Sequence, residues 1–245
     1  MKNVLLLTYQ SCFALPFLVV LTIVTAIITM TLCVLGFSRW GGYYPPHIWA
    51  KFWCWLMFVS VEVKGRENID ARSSYVFVAN HQGAYDIFSI YGFLNHNFKW
   101  MMKKSLEKIP FAGQACKLSR HIMVDRSSAS AIRETMDNAK KILKDGISLV
   151  VFPEGSRTPD GRIKKFKRGA FSLATEFGLP IVPITIDGSY DVMTKSSLRI
   201  MPGHIKITIH KPIHFEPVKG DKGVIERLMN DSFEIIKDSL PDNNK

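Results

Sequence analysis

The sequence predicts an α/β fold, a mixed sheet covered by helices, behind an N-terminal membrane-anchoring helical segment. Two observations predict it. An uncharged apolar stretch fills the chain between Lys2 and Arg39, and from about residue 60 short β-branched or aromatic runs alternate with longer amphipathic ones. A length of 245 residues suits one domain plus an appendage, and 47% hydrophobic content excludes a chain that is mainly disordered. Subtracting 21 Asp+Glu from 32 Lys+Arg leaves +11, which favours anionic partners: nucleic acid, phospholipid headgroups or phosphorylated metabolites. Cys12, Cys33, Cys54 and Cys116 are widely spaced, so neither a disulfide framework nor a cysteine zinc site is expected.

The first element, Ala14 to Phe37, is almost wholly Leu, Ile, Val, Phe, Thr and Ala. As a helix it reaches about 36 Å, enough to cross a hydrocarbon core of roughly 30 Å, with Pro16 placed to start or kink it. The run is longer than a signal-peptide core and no A-x-A-like cleavage site follows, so an anchor is expected. After the turn Gly41-Gly42-Tyr43-Tyr44-Pro45-Pro46, Trp49, Phe52, Trp53 and Leu56 recur at helical spacing. Four of the five tryptophans fall between positions 40 and 55, which predicts a helix lying at the bilayer surface. Residues 1–60 are read as anchor and interfacial helix and 61–245 as the α/β domain. The charge bias (Lys2 against Arg39, Lys51, Lys64 and Arg66) places that domain on the cytoplasmic side of a membrane, with small size leaning towards a bacterial inner membrane.

Within the domain, Tyr75–Ala79 is a buried strand by length and composition, Ile87–Leu94 a helix and Ile122–Val124 a short strand. Ser127–Lys144 has serines at its start, lysines near its end and Gly146 just beyond, the marks of a helix. Ile147–Phe152 and Ile181–Ile186 read as strands, and Gly169–Phe177 as the helix between them. Ile205–Ile209 alternates as a half-buried strand, Val224–Leu240 closes the chain as an amphipathic helix, and Asp242–Lys245 is expected to fray.

The chemistry-bearing residues stand at strand ends. Asn80-His81-Gln82-Gly83-Ala84-Tyr85-Asp86 follows the first buried strand. Five positions apart on one helix would put His81 and Asp86 off-face, so a bend is needed to bring them together. If it does, the carboxylate orients the imidazole and prepares His81 to take a proton from a hydroxyl. H-x4-D alone also fits a histidine satisfied in a loop. Phe152-Pro153-Glu154-Gly155-Ser156-Arg157-Thr158 combines a permissive glycine, two hydroxyls and an arginine, a set suited to an oxyanion. Positions 157–168 carry six cations and one acid, expected to put Arg157 in the site and the later lysines near lipid phosphates. Lys99–Arg126 adds seven cations and two acids, with Lys103 and Lys104 before Ile109-Pro110-Phe111-Ala112-Gly113 and Val124-Asp125-Arg126 ending a strand.

Taken together these segments resemble the glycerolipid acyltransferase family, in its lysophosphatidic acid acyltransferase branch. The family's NHxxxxD motif is matched by Asn80, His81 and Asp86, and its aspartate–arginine pair by Asp125 and Arg126. Its Phe-Pro-Glu-Gly-(Thr/Ser)-Arg block is matched by Phe152–Arg157, and its Val-Pro-Ile strand by Val182-Pro183-Ile184. Order and spacing agree over roughly residues 60–215.

The resemblance implies an enzyme in which His81, held by Asp86, deprotonates the sn-2 hydroxyl of 1-acyl-glycerol-3-phosphate. Direct attack on the thioester of acyl-CoA or acyl-carrier protein then gives phosphatidic acid. It implies that Arg126, Glu154, Gly155 and Arg157 bind the glycerol phosphate, that Lys104 or Lys103 meets the phosphate or the developing oxyanion, and that Pro183 lines the acyl side. No cofactor or metal is expected beyond the donor substrate. The partners are membrane phospholipids, lysophosphatidic acid and the acyl donor, with no nucleic acid. Rival readings are another lysophospholipid or glycerol-3-phosphate as acceptor, a non-catalytic membrane-anchored lipid-binding protein, and a metal-dependent hydrolase built on His81 and Asp86. The chain has no G-x-S-x-G elbow for a covalent route.

Overall fold

The computed structural model describes residues 2–124, 128–143, 146–197, 199–216 and 221–245. The chain begins with α1 (Lys2–Tyr9), a π-helical turn (Gln10–Ala14), α2 (Leu15–Val34), α3 (Ser38–Gly41) and α4 (Tyr44–Leu56). Then come β1 (Val59–Lys64), β2 (Val76–Ala79), α5 (Tyr85–Phe93), β3 (Phe98–Lys103), α6 (Ala112–Leu118), β4 (Ile122–Val124), α7 (Ala129–Ile142) and β5 (Ser148–Val151). The remainder is α8 (Gly169–Phe177), β6 (Ile181–Asp187), α9 (Ser189–Val192), β7 (Gly203–Ile209) and α10 (Lys222–Ser239), with 3-10 turns at Arg66–Asn68, Lys104–Lys108 and Asp242–Asn244.

The strands form one mixed sheet in the order β1-β7-β6-β2-β5-β3-β4, in which, among the described strands, only the β6–β7 ladder is antiparallel. Every residue of β2 and β5 is buried, as expected for parallel strands covered on both faces. Burying side chains such as Phe77 contributes about 1.5–3 kcal/mol each. β7 lies next to the sheet edge and alternates instead: Ile205, Ile207 and Ile209 are buried while Lys206 and Thr208 are half-buried. Pro183 sits in the interior of β6, where a missing N–H normally costs a ladder bond. The antiparallel ladder to β7 starts one residue later, at Ile184, and the Pro183 carbonyl accepts the His210 N–H at 3.0 Å.

One face of the sheet is covered by α4, α5 and the N-terminal helices, the other by α8 and α10. Val4–Val34 runs as one apolar helical stretch, long enough by length and composition to cross a membrane. Part of it is also core. Ala14 and Leu18 are buried with the sheet residues, and the buried Gln10 side chain donates to the Ile200 carbonyl at 2.8 Å. The tryptophans of α4 divide. Trp49 donates to Thr22 Oγ1 at 2.8 Å and Trp53 stacks on Phe88 at 4.8 Å, so both pack inward. Phe52, Trp55 and Ile48, with Trp40 before them, face outward.

Two strands escape the sequence reading, β1 and β3, and both are explained below. The C-terminus is not frayed: the Asn244 carbonyl accepts the Ile163 N–H at 3.1 Å, which ties the last turn to the basic loop.

Candidate active site

Parallel strands end together, so the chain segments that leave β2, β3, β4 and β5 meet at one edge of the sheet. Asn80 fixes the exit of β2. Its side-chain amide donates to the Ile186 carbonyl at 2.8 Å and its Oδ1 accepts the Ile186 N–H at 2.7 Å, a two-bond clamp onto β6. Residues 80–84 then turn without helix, and α5 begins at Tyr85. Gly83 is required in that turn, because a Cβ there would collide with the Ser189 carbonyl.

The turn brings Asp86 back to His81. Imidazole Nδ1 lies 2.8 Å from Asp86 Oδ2, and Asp86 is fully buried. The same Oδ2 accepts the Gly83 N–H at 2.9 Å, while the Ser189 hydroxyl donates to Oδ1. Asp86 also stands in the first turn of α5, where the helix dipole favours a carboxylate. Three donors and the dipole hold the acceptor in place, and an ionised Asp86 assigns the proton to Nδ1 of His81, leaving Nε2 as a base. The ring is flanked by Phe152, with centroids 4.0 Å apart and planes 9° apart, and Phe152 stacks in turn on Trp100 at 5.5 Å.

Glu154 is buried beneath this pair. Its Oε1 accepts the His81 N–H at 2.7 Å and its Oε2 the Lys164 N–H at 3.2 Å, so both oxygens are taken by backbone. Burial pushes its carboxyl up to about 7 against the opposing pull of those N–H bonds. Gly155 has φ +76°, and the Lys167 ammonium lies so near that a Cβ would come within 2.7 Å of Nζ. Lys164 does not face outward. Its ammonium donates to Ser156 Oγ at 2.9 Å, to the Arg157 carbonyl at 3.1 Å and to the Ser156 carbonyl. Lys164 thus closes the 154–157 loop, while Lys165 and Lys167 of the same basic run are exposed. Arg157 is half-buried at the end of that loop.

A cleft of about 730 Å³ opens over the dyad, lined by His81, Phe152, Gly155, Ser156, Lys103 and Lys104 with an apolar wall of Ile87, Trp100, Met101, Met102, Leu106, Val124 and Val151. The structure thus gathers His81, Gly155 and Lys104 around one space and sets Asp86 and Glu154 behind it. Arg126 and its neighbour Asp125 lie outside the described residues. Pro183 is buried in β6 and does not line the cleft; its place is the change of ladder described above. Ser189 was missed by sequence reasoning, although Asp187-Gly188-Ser189 repeats the strand, turn glycine and polar side chain that marked the other site segments.

The acyltransferase family model matches residues 60–187 of this chain. The chain belongs to the acyltransferase family. It is 34% identical to the chloroplastic 1-acyl-sn-glycerol-3-phosphate acyltransferase of Arabidopsis thaliana over 69% of this chain and 48% of that protein. It is 33% identical to the 1-acyl-sn-glycerol-3-phosphate acyltransferase of Pseudomonas aeruginosa over 73% of this chain and 70% of that one. The chain spans between 48% and 66% of the length of the three plant relatives that head the comparison. Among solved structures, the 1-acyl-sn-glycerophosphate acyltransferase PlsC of Thermotoga maritima shares the fold with a TM-score of 0.68 and 26% identity, over 92% of this chain and 95% of that one. The acyltransferase family model thus spans the sheet from β1 to β6 and takes in His81, Asp86, Lys103, Lys104 and the 152–157 segment, with Ser189 just beyond its end.

Proposed function

We propose that this acyltransferase moves an acyl chain from a thioester, acyl-CoA or acyl-carrier protein, to the sn-2 hydroxyl of 1-acyl-glycerol-3-phosphate, giving phosphatidic acid. The observation that carries the reading is the 2.8 Å contact of His81 Nδ1 with Asp86 Oδ2 at the floor of a cleft that is apolar on one wall and cationic on the other. The names of the relatives support the same acceptor.

His81 Nε2 takes the hydroxyl proton as the alkoxide oxygen attacks the thioester carbon. Asp86 stabilises the imidazolium that results. Collapse of the tetrahedral intermediate breaks the C–S bond, and the imidazolium returns its proton to the departing thiolate, so the dyad ends as it began. Arg157, Arg126 and the Gly155 turn bind the glycerol phosphate, with Lys103 or Lys104 on its far side. Glu154 serves that phosphate indirectly, by fixing the loop that presents Gly155 and Arg157. The acyl chain lies along Trp100, Met102 and Leu106. Val4–Val34 and the exposed rings around α3 and α4 seat the enzyme on a membrane, with the domain towards the cytoplasm, in a bacterium the inner membrane. Such seating suits an acceptor and product that live in the bilayer.

The test is donor-thiol release by the detergent-purified full chain given acyl-CoA or acyl-carrier protein, with and without lysophosphatidic acid. Release that requires the lysolipid and vanishes in His81→Ala is the expected result. Folded protein that releases thiol equally without any lysolipid, or that is inert with both donors, would overturn the assignment.

A further inference from the structure

Between β5 and α8 the chain runs from Phe152 to Lys167 without helix or strand, so no ladder of its own sets its course. Its first part carries Gly155, Ser156 and Arg157 and is closed by the Lys164 ammonium. Its outer part, 158–163, is held from distant stretches of the chain. Buried Thr158 donates its N–H to the His81 carbonyl at 3.0 Å. The Tyr190 hydroxyl donates to the Pro159 carbonyl at 3.0 Å, and the Gln82 amide to the Gly161 carbonyl at 2.7 Å. Ile163 donates its N–H to the Asn244 carbonyl at 3.1 Å.

Three of these anchors meet around Gly161. Its φ is +84°, and a Cβ there would lie 3.2 Å from the Tyr190 ring and 3.4 Å from Asn244 Oδ1. Gln82 is 1% exposed and reaches Gly161 across 79 positions. Tyr190 follows Ser189 in α9, so one four-residue helix holds Asp86 with one side chain and this loop with the next. Gln82, Tyr190 and Asn244 do not line the cleft above His81. They act on backbone that leads directly to Arg157. A loop ordered in advance spares the acceptor the entropy of ordering it, and that saving falls on binding and not on the chemical step.

We propose that Gln82, Tyr190 and Asn244 are positioning residues for the acceptor: by converging on Gly161 they hold the 158–163 loop so that Arg157 and Gly155 face the glycerol phosphate. This rests on the acceptor named above and adds which remote residues set its affinity.

Two measurements on the detergent-purified full chain test it. Limited trypsin digestion reads the loop itself, at the exposed Arg162, Lys165, Lys167 and Arg168. Tyr190→Phe, Gln82→Met and deletion of residues 242–245 are each expected to be cut there about threefold to fivefold faster than the parent chain, with thermal midpoints retained. Steady-state thiol release reads the acceptor. Tyr190→Phe and the deletion should raise KM for lysophosphatidic acid by about threefold to fivefold, with kcat and the donor KM within about twofold. Equal cutting rates in variants and parent would overturn the proposal. So would faster cutting matched by a lower midpoint, a fall in kcat with the acceptor KM unchanged, or faster cutting with no change in that KM. Failure of the acceptor reading shows differently: the parent chain itself is then silent with lysophosphatidic acid, whatever the digestion rates.

Discussion

Glu154 Oε1 accepts the backbone N–H of His81 at 2.7 Å while Oε2 of the same carboxylate accepts the N–H of Lys164 at 3.2 Å. One buried side chain therefore joins the strand end that carries His81 to the loop that carries Gly155 and Arg157. Lys164 completes the link from the other side by clamping the Ser156 and Arg157 carbonyls. The His81 turn and the 154–157 loop are thereby fixed to each other.

Glu154→Gln breaks this link on one side, since an amide offers one acceptor oxygen where two N–H groups wait. Acyl transfer is expected to fall by about tenfold to a hundredfold with the chain still folded. The titration has a definite sign. The folded-state carboxyl is raised to about 7, so its contribution to stability is fully present below the ordinary carboxylate range and is lost as pH rises through about 7. Thermal midpoints of Glu154→Gln should therefore vary less than those of the parent chain between about pH 5 and about pH 8. Parallel profiles in the two proteins would refute it.

His81→Ala and Asp86→Asn separate the base from its orienting group. The first is expected to reduce transfer by about 10³-fold or more, and the second nearly as far, because an Asn side chain can leave Nδ1 facing an N–H. Single-turnover thiol release measures both.

Ser189→Ala removes the hydroxyl that donates to Asp86 Oδ1 and leaves the Gly83 and His81 contacts in place. A fall of about tenfold in kcat with KM unchanged is expected, since the loss falls on the orientation of the base and not on substrate contacts. A comparable rise in KM with kcat unchanged would instead place Ser189 in binding.

Acid should unfold the domain through two buried imidazoles. Burial pushes His121 down to about 3 and His96 to about 4. Both are lowered in the folded state, so their stabilising contribution is present above the free imidazole range and is lost as pH falls towards about 4 and then about 3. His96→Gln keeps a polar contact for Ser148, which lies 2.7 Å from Nε2, and should flatten the loss of thermal midpoint on acidification.

Much of this site was legible in the sequence because its segments are local. His81 and Asp86 are five positions apart, and Phe152 to Arg157 is continuous, so pattern and structure coincide. Ser189 was not legible, because it reaches Asp86 across 103 positions and only tertiary packing brings it there. Of the fold, β2, β5 and β6 announce themselves as apolar runs buried on both faces. β3 does not: Lys99 and Lys103 break its pattern, and Lys99 is buried for a reason no periodicity carries. β1 alternates but is short and half-exposed at the sheet edge, and its neighbour is distant. Pro183 read as a site residue because the family motif includes it, while its physical task is to end one ladder and start another.

That distance between β1 and β7 governs how the chain is made. Ser60 meets His204 across 144 positions, so an emerging β1 waits unpaired while most of the domain is still being synthesised. By then the apolar helix ahead of it has already left the ribosome. Closure of the sheet at this edge is thereby deferred until β7 arrives. Domains closed by such long-range pairing fold slowly and expose edges meanwhile.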